Sequence, residues 1–153
     1  MKISDVLERK TVIPNLQARS KPEVISELAE NLAAAYTSIN DEKLIEVLLE
    51  REKLCSTAVD SGVAIPHAKM SGISDIIAGF GRSKEGIDYD SLDSKLTHLF
   101  IILVAPETSI GGHIQLLARI SKIFKNPELR AKLMTLETQE EIYDSLITED
   151  ARL

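Results

Sequence analysis

Three side chains in this sequence could together carry out phosphoryl transfer: His67, His113 and Arg51. A neutral imidazole nitrogen is a nucleophile near neutral pH, so His67 could take a phosphoryl group and pass it on. His113 could donate a hydrogen bond to the phosphoryl oxygens, and Arg51 offers them a planar, permanently charged fork. Such transfer depends largely on positioning and electrostatic stabilisation, so these residue types would be sufficient if the fold brought them together.

The sequence around His67 places this side chain next to the end of a strand. A short apolar segment, Val63–Ile65, leads into Pro66, which cannot donate to a sheet ladder and therefore belongs at a strand end or edge. A histidine just past such an end lies on a surface or in a cleft, where a rigid element fixes its direction. The alternative from the local residues is an ordinary surface histidine that follows a strand.

Arg51 and His113 are both expected near helix ends. Arg51 falls in the last turn of a helix predicted over 41–53, at the margin of its buried face; the alternative is a cation that merely favours a helix C-terminus. His113 falls in the first turn of a helix beginning near Gly111 or Gly112, where free backbone N–H groups can receive an anion. The alternative there is a histidine packed at a helix start.

Other chemistries fit the sequence less well. A zinc site built from the cysteine and the three histidines lacks the close ligand pairs of common sites: Cys55, His67, His98 and His113 are too widely spaced. His98 lies inside an apolar strand and is interpreted as structural. No nucleophile elbow, Walker motif or dinucleotide fingerprint occurs. The sequence therefore implies no metal and no organic cofactor.

Strand and helix patterns alternate along the chain. Leu99–Ala105 is continuously apolar, which indicates a strand buried on both faces. Strands are predicted over 11–16, 75–81 and 95–105, with a polar connection over 86–93. Helices are predicted over 20–33, 41–53 and 127–134, and two more begin at 111 or 112 and at 138. Capping boxes at Ser20–Glu23 and Thr138–Glu141 mark the starts of two of these helices. This alternation predicts an α/β fold, a β-sheet flanked by helices on both faces.

Composition narrows the classes of function. The 153 residues are expected to form one domain, 1–153, and the net charge of -6 disfavours a nucleic-acid partner. The single cysteine suits a cytoplasmic protein. No apolar run approaches the length of a membrane span. These features favour a protein or small-molecule partner.

At this level of detail the chain resembles a known family. The stretch Arg51–Lys69 is similar to the signature of phosphotransferase-system (PTS) IIA proteins of the fructose/mannitol type, EIIA type 2, and Leu99–Pro106 and His113–Ile120 resemble later parts of that family. The resemblance extends from Ile3 to about Ile147 and is strongest to the nitrogen-regulatory branch. It implies a mixed β-sheet between helical layers, with His67 as phosphoryl acceptor and His113 and Arg51 stabilising the phosphoryl group.

The resemblance also implies partners. The donor would be an HPr-like phosphocarrier protein, with phosphoenolpyruvate as the ultimate source, and the phosphorylation state would regulate partner proteins. One alternative is a sugar-specific IIA that donates phosphate to a IIB/IIC permease. A second is an interaction module that no longer accepts phosphate, because Cys55, Ala58 and Asp60 stand where the family usually has glycine. Asp60 would also bring a negative charge close to the phosphoryl group.

Overall fold

Five strands and five α-helices make up the protein. The computed structural model describes residues 1–153. After a short 3₁₀ turn at Ile3–Asp5, the elements are β1 (Leu7–Ile13), α1 (Lys21–Ala35), α2 (Asp41–Leu54), β2 (Val63–Ala64), β3 (His67–Met70), β4 (Ile77–Ile87), β5 (Thr97–Pro106), α3 (Gly112–Phe124), α4 (Pro127–Thr135) and α5 (Gln139–Ala151).

The sheet is mixed and β5 is its centre. The strand order is β1-β4-β5-β2, and β3 also pairs with β5. Strands β4 and β5 are antiparallel, whereas β1 pairs with β4, and β2 and β3 pair with β5, in parallel. The proline after β1 falls at the outer edge of this sheet, where a missing N–H costs no ladder bond.

Helices cover both faces of the sheet, which confirms the predicted three-layer α/β/α arrangement. Alternate residues of β5 enter two separate cores: Leu99, Ile101 and Leu103 pack with α3–α5, whereas Phe100 and Ile102 pack with α1 and α2. Each of these five side chains is at most 6% exposed. Strand β5 is therefore buried on both faces, as its continuous apolar run predicted.

Caps fix the starts of four helices where the sequence predicted them. Ser20, Asn40, Asn126 and Thr138 each accept a hydrogen bond from a backbone N–H of the first turn. Among these four helices the reciprocal capping box forms fully only at Thr138, where the Glu141 side chain also bonds the cap backbone. At Ser20 only the serine half of the predicted box is present.

The predicted bounds of two strands are wrong. The first strand is Leu7–Ile13, not 11–16. Its register with β4 is interrupted between Leu7 and Val12, and Glu8–Lys10 are charged and exposed, so no strand pattern is visible in the sequence. Strand β4 continues to Ile87 rather than ending at 81, because pairing with β5 carries it through polar residues. The predicted polar connection therefore starts two residues later than expected.

Candidate functional site

His67 is the first residue of β3 and is held in one orientation by the backbone before it. Ile65 and Pro66 separate β2 from β3, and His67 pairs with Leu103 of the central strand. The Nδ1 atom of the half-buried ring lies 2.6 Å from the carbonyl oxygen of Ile65. Because a carbonyl oxygen only accepts, the hydrogen is assigned to Nδ1. The Nε2 atom then keeps a free lone pair, as a nucleophile requires.

Arg51 reaches the same place from the last turn of α2. Its Nη1 atom donates to the carbonyl oxygen of Cys55 at 3.0 Å, which anchors the guanidinium at the helix end. Its Nη2 and Nε atoms have no protein partner and can donate to an anion. The position at the margin of the buried face, predicted from the helical spacing, is what lets the side chain reach inward while half-buried.

His113 lies in the first turn of α3, as predicted. The Ser109 hydroxyl oxygen is 3.4 Å from its Nδ1 atom, and when this hydroxyl donates, the ring carries its hydrogen on Nε2. Burial lowers the pKa of His113, and the positive charge of Lys69, with that of His67 when its ring is protonated, lowers it further. The ring is therefore neutral near neutral pH and has an N–H that it can donate.

The three predicted residues line one cavity of about 300 Å³. Its walls combine small or apolar side chains with nitrogen-bearing ones, and no carboxylate is among them: Val47, Arg51, His67, Ala68, Lys69, Leu103, Ala105 and His113. No side chain caps the adjoining start of α3 at Gly111. The cavity thus offers a nucleophilic nitrogen, N–H donors and positive charge, which together suit an anionic phosphoryl group.

Lys69 is a cavity residue that the sequence analysis did not select. It follows His67 by two positions, and alternate residues of a strand project to the same face. Its Nζ atom donates to the carbonyl oxygen of Ser109 at 3.0 Å, which ties β3 to the segment just before His113. The two-residue spacing after the histidine is the signal that could have found it.

His98 lies apart from the cavity. Its Nδ1 atom is 2.9 Å from the carbonyl oxygen of Ser83 on the neighbouring strand, and its ring packs against Gly86. This cross-strand contact supports the structural interpretation made from the sequence.

The loop before His67 adopts its shape without glycine at the three unusual positions. None of Cys55, Ala58 and Asp60 has a positive φ; the left-handed residues are Ser61 (φ 65°) and Gly62 (φ 78°). Replacing glycine at those three positions therefore requires no strained backbone. Asp60 is exposed and is not among the residues that line the cavity, so the expected close approach of its charge is not seen there.

Comparison with known proteins gives a consistent match over most of the chain. Residues 5–149 match the model of the family described as "Phosphoenolpyruvate-dependent sugar phosphotransferase system, EIIA 2". No helix combines the length and apolarity that crossing a bilayer requires.

Individual relatives come from two functional groups. The chain is 37% identical over 146 residues to a nitrogen regulatory protein of Bradyrhizobium diazoefficiens, covering 95% of both chains. It is 35% identical to the fructose-specific EIIABC component of Bacillus subtilis, covering 98% of this chain but only 24% of that protein. The crystal structure of the nitrogen regulatory protein IIA-Ntr of Neisseria meningitidis superposes with a TM-score of 0.88 at 30% identity, covering 94% of this chain and 98% of that chain.

Proposed function

Because the chain belongs to the EIIA type-2 family of the phosphoenolpyruvate-dependent sugar phosphotransferase system, we propose that it carries a phosphoryl group on His67. The observation that carries this proposal is the bond from His67 Nδ1 to Ile65. In the neutral ring this bond leaves Nε2 as the nitrogen without a hydrogen, in a cavity that also contains Arg51 and His113 and no carboxylate. A general role in phosphoryl transfer follows from the family, and the acceptor atom is the part proposed.

In the proposed transfer the Nε2 lone pair of His67 attacks phosphorus. A phosphorus–nitrogen bond forms to Nε2 as the bond from phosphorus to the donor breaks, and the departing donor atom keeps that electron pair. Nδ1 retains its hydrogen, bonded to Ile65, so the ring needs no base to become reactive. Arg51 and His113 donate to the phosphoryl oxygens, and because His113 is neutral it stabilises them without a fixed charge.

The proposed donor is an HPr-like phosphocarrier protein, and the proposed targets are proteins regulated by the phosphorylation state. The name of the Bradyrhizobium relative supports this regulatory role. Large apolar side chains are exposed beside the cavity residues in sequence: Leu54 (81% exposed), Ile110 (91%) and Ile114 (59%). Such exposure is typical of a surface that docks other proteins. A cytoplasmic location, which the single free thiol suits, belongs to the same proposal.

A sugar-specific component is the second candidate function. The Bacillus relative is a fructose-specific EIIABC component, and this chain matches 24% of it at nearly the same identity as the regulatory relative. In that case the acceptor of the phosphoryl group would be a IIB domain of a permease. The interaction-module alternative loses its main support, because the residues that replace glycine introduce no backbone strain.

The deciding experiment is phosphoryl transfer to the purified protein. Phosphoenolpyruvate, the upstream enzyme and an HPr-like carrier are supplied, and wild type is compared with His67→Ala and with the matched control His98→Gln. We expect acid-labile phosphate on wild type and on the control and none on His67→Ala, with all three folded by circular dichroism. Labelling that persists in His67→Ala would exclude His67 as the acceptor.

The two candidate functions differ in where the phosphate goes next. Phosphorylated protein is incubated with a purified fructose-type IIB domain, and the label is followed over time. Rapid transfer to the IIB domain would favour the sugar-specific function. Retention of the label, together with binding of a regulated partner to only one phosphorylation state, would favour the regulatory function.

A further inference from the structure

Glu52 is a buried carboxylate that the proposed transfer does not use. Its side chain is only 4% exposed although it directly follows Arg51 on α2. A buried charge is costly unless it is paired and hydrogen-bonded. The carboxylate meets this requirement with two partners, since Lys21 of α1 lies 3.0 Å from Oε1 and Thr57 bonds both oxygens.

Thr57 is the point at which Glu52 holds the loop that follows α2. The backbone N–H of Thr57 donates to Oε1 at 3.0 Å, and its hydroxyl makes a short hydrogen bond to Oε2. Both donors of one residue are thus fixed on one carboxylate. Thr57 is itself only 7% exposed, so water does not compete with these bonds.

Backbone hydrogen bonds continue from Thr57 to the ring of His67. The carbonyl oxygen of Thr57 accepts from the N–H of Ile65 at 3.1 Å. The carbonyl oxygen of Ile65 in turn accepts from His67 Nδ1. Both backbone groups of Ile65 are therefore hydrogen-bonded. Its N–H bonds the loop that Glu52 anchors, and its carbonyl oxygen bonds the ring of His67 and orients that ring.

We propose that Glu52 is a positioning residue for His67, acting through Thr57 and Ile65. By fixing the carbonyl of Ile65 it keeps the hydrogen of the ring on Nδ1 and leaves Nε2 free inside the cavity. The last turn of α2 then contributes twice to the site. Arg51 binds the anion, and Glu52 holds the backbone that orients the nucleophile His67. This proposal deepens the phosphohistidine function and rests on it for its catalytic meaning.

The test measures the tautomer of His67 directly, in protein that carries no phosphate. Nitrogen-15 NMR of the histidine rings separates the Nδ1–H from the Nε2–H form near neutral pH. We expect wild type to show His67 in the Nδ1–H form and Glu52→Gln to show a mixture of the two forms. Glu50→Gln is the matched control, since Glu50 is an exposed glutamate of the same helix paired with Lys53, and it should match wild type.

A second pair of variants tests the proposal independently, in case Glu52→Gln does not fold. Thr57→Val removes the hydroxyl bond and should also mix the tautomers, whereas Thr57→Ser keeps the hydroxyl and should restore the wild-type spectrum. Phosphoryl transfer to the two disruptive variants should slow by ~10- to 100-fold, the scale expected when a reacting group is misplaced.

The outcomes separate this proposal from the function on which it rests. An unchanged Nδ1–H tautomer in folded Glu52→Gln and Thr57→Val would overturn the positioning role, whether or not His67 accepts phosphate. A wild type that shows the Nε2–H form would overturn it as well. Failure of wild type to accept phosphate, with the tautomer shifting as expected, would overturn only the phosphohistidine function.

Discussion

Replacement of Arg51 by alanine tests whether the cavity stabilises a phosphoryl group. The Nη1 atom of Arg51 is held by Cys55, while the other guanidinium nitrogens lack protein partners and are free to bond the phosphoryl oxygens. A hydrogen bond to a charged group contributes about 1.5–3 kcal/mol. Because about 1.4 kcal/mol corresponds to tenfold in rate, Arg51→Ala should slow transfer by roughly 10- to 150-fold.

The measurement is the single-turnover rate of phosphoryl transfer from a phosphorylated HPr-like carrier, followed by rapid quenching. Arg51→Lys should fall between wild type and Arg51→Ala, because one ammonium group cannot hold the Cys55 carbonyl and also present a planar fork. Lys53→Ala is the matched control: it removes the same charge two residues further along the helix, from an exposed side chain paired with Glu50.

The expected loss of rate comes from the contact between the guanidinium and the phosphoryl oxygens, not from the change in net charge. If charge alone mattered, Lys53→Ala and Arg51→Ala would slow transfer equally through weaker attraction of the carrier, and raising the salt concentration would reduce the difference from wild type. A rate for Arg51→Ala within twofold of wild type, in folded protein, would refute the assignment of Arg51 to the phosphoryl oxygens.

Two further predictions concern His113 and the packing of α5. Burial and nearby positive charge lower the pKa of His113. A dianionic phosphoryl group on His67 favours the protonated ring, so phosphorylation should raise the pKa of His113, and an NMR titration of His113 that is unchanged by phosphorylation would contradict the contact. Asp150, only 2% exposed, accepts from the Ile3 N–H and from Arg119. Asp150→Ala should lower the free energy of unfolding, measured by urea denaturation, by about 2–4 kcal/mol. Asp144→Ala, which breaks an exposed ion pair, should lower it by less than about 1 kcal/mol.

The elements that sequence reasoning located well are those with local signals. Helix starts at Ser20 and Thr138 follow from side chains that satisfy the first free N–H groups, and these contacts span only three residues. The continuous apolar run of β5 marks a central strand in the same local way. Strand β1 carries no such signal, because it pairs with a strand far away in sequence, Leu7 with Ala78. The second half of β4 carries none either, because most of its residues are polar or charged.

Arg82 illustrates how tertiary contacts override local pattern. A charged residue after Gly81 predicts the end of a strand, yet Arg82 is fully buried within β4. Its guanidinium donates to the carbonyl oxygens of Pro14, Leu133 and Leu136, which lie 51 to 68 residues away. Desolvation lowers its pKa, and the three carbonyl acceptors bond Nε and Nη1 while Nη2 is buried without a partner.

By itself the sequence determined the chemistry that this protein can offer: a histidine after a strand-ending proline, a second histidine at a helix start and an arginine at a helix end. Only the tertiary structure decided that α2, β3 and α3 bring these three side chains to one cavity, that Lys69 joins them, and that Ile65 fixes the hydrogen of His67 on Nδ1. The physical reason is the separation along the chain of the groups that interact. Caps and periodicity act between neighbours along the chain, whereas the cavity and the lowered pKa of His113 depend on groups that only folding brings together. Ile65 is only two residues from His67, but the direction of its carbonyl oxygen depends on a backbone geometry that no sequence pattern specifies.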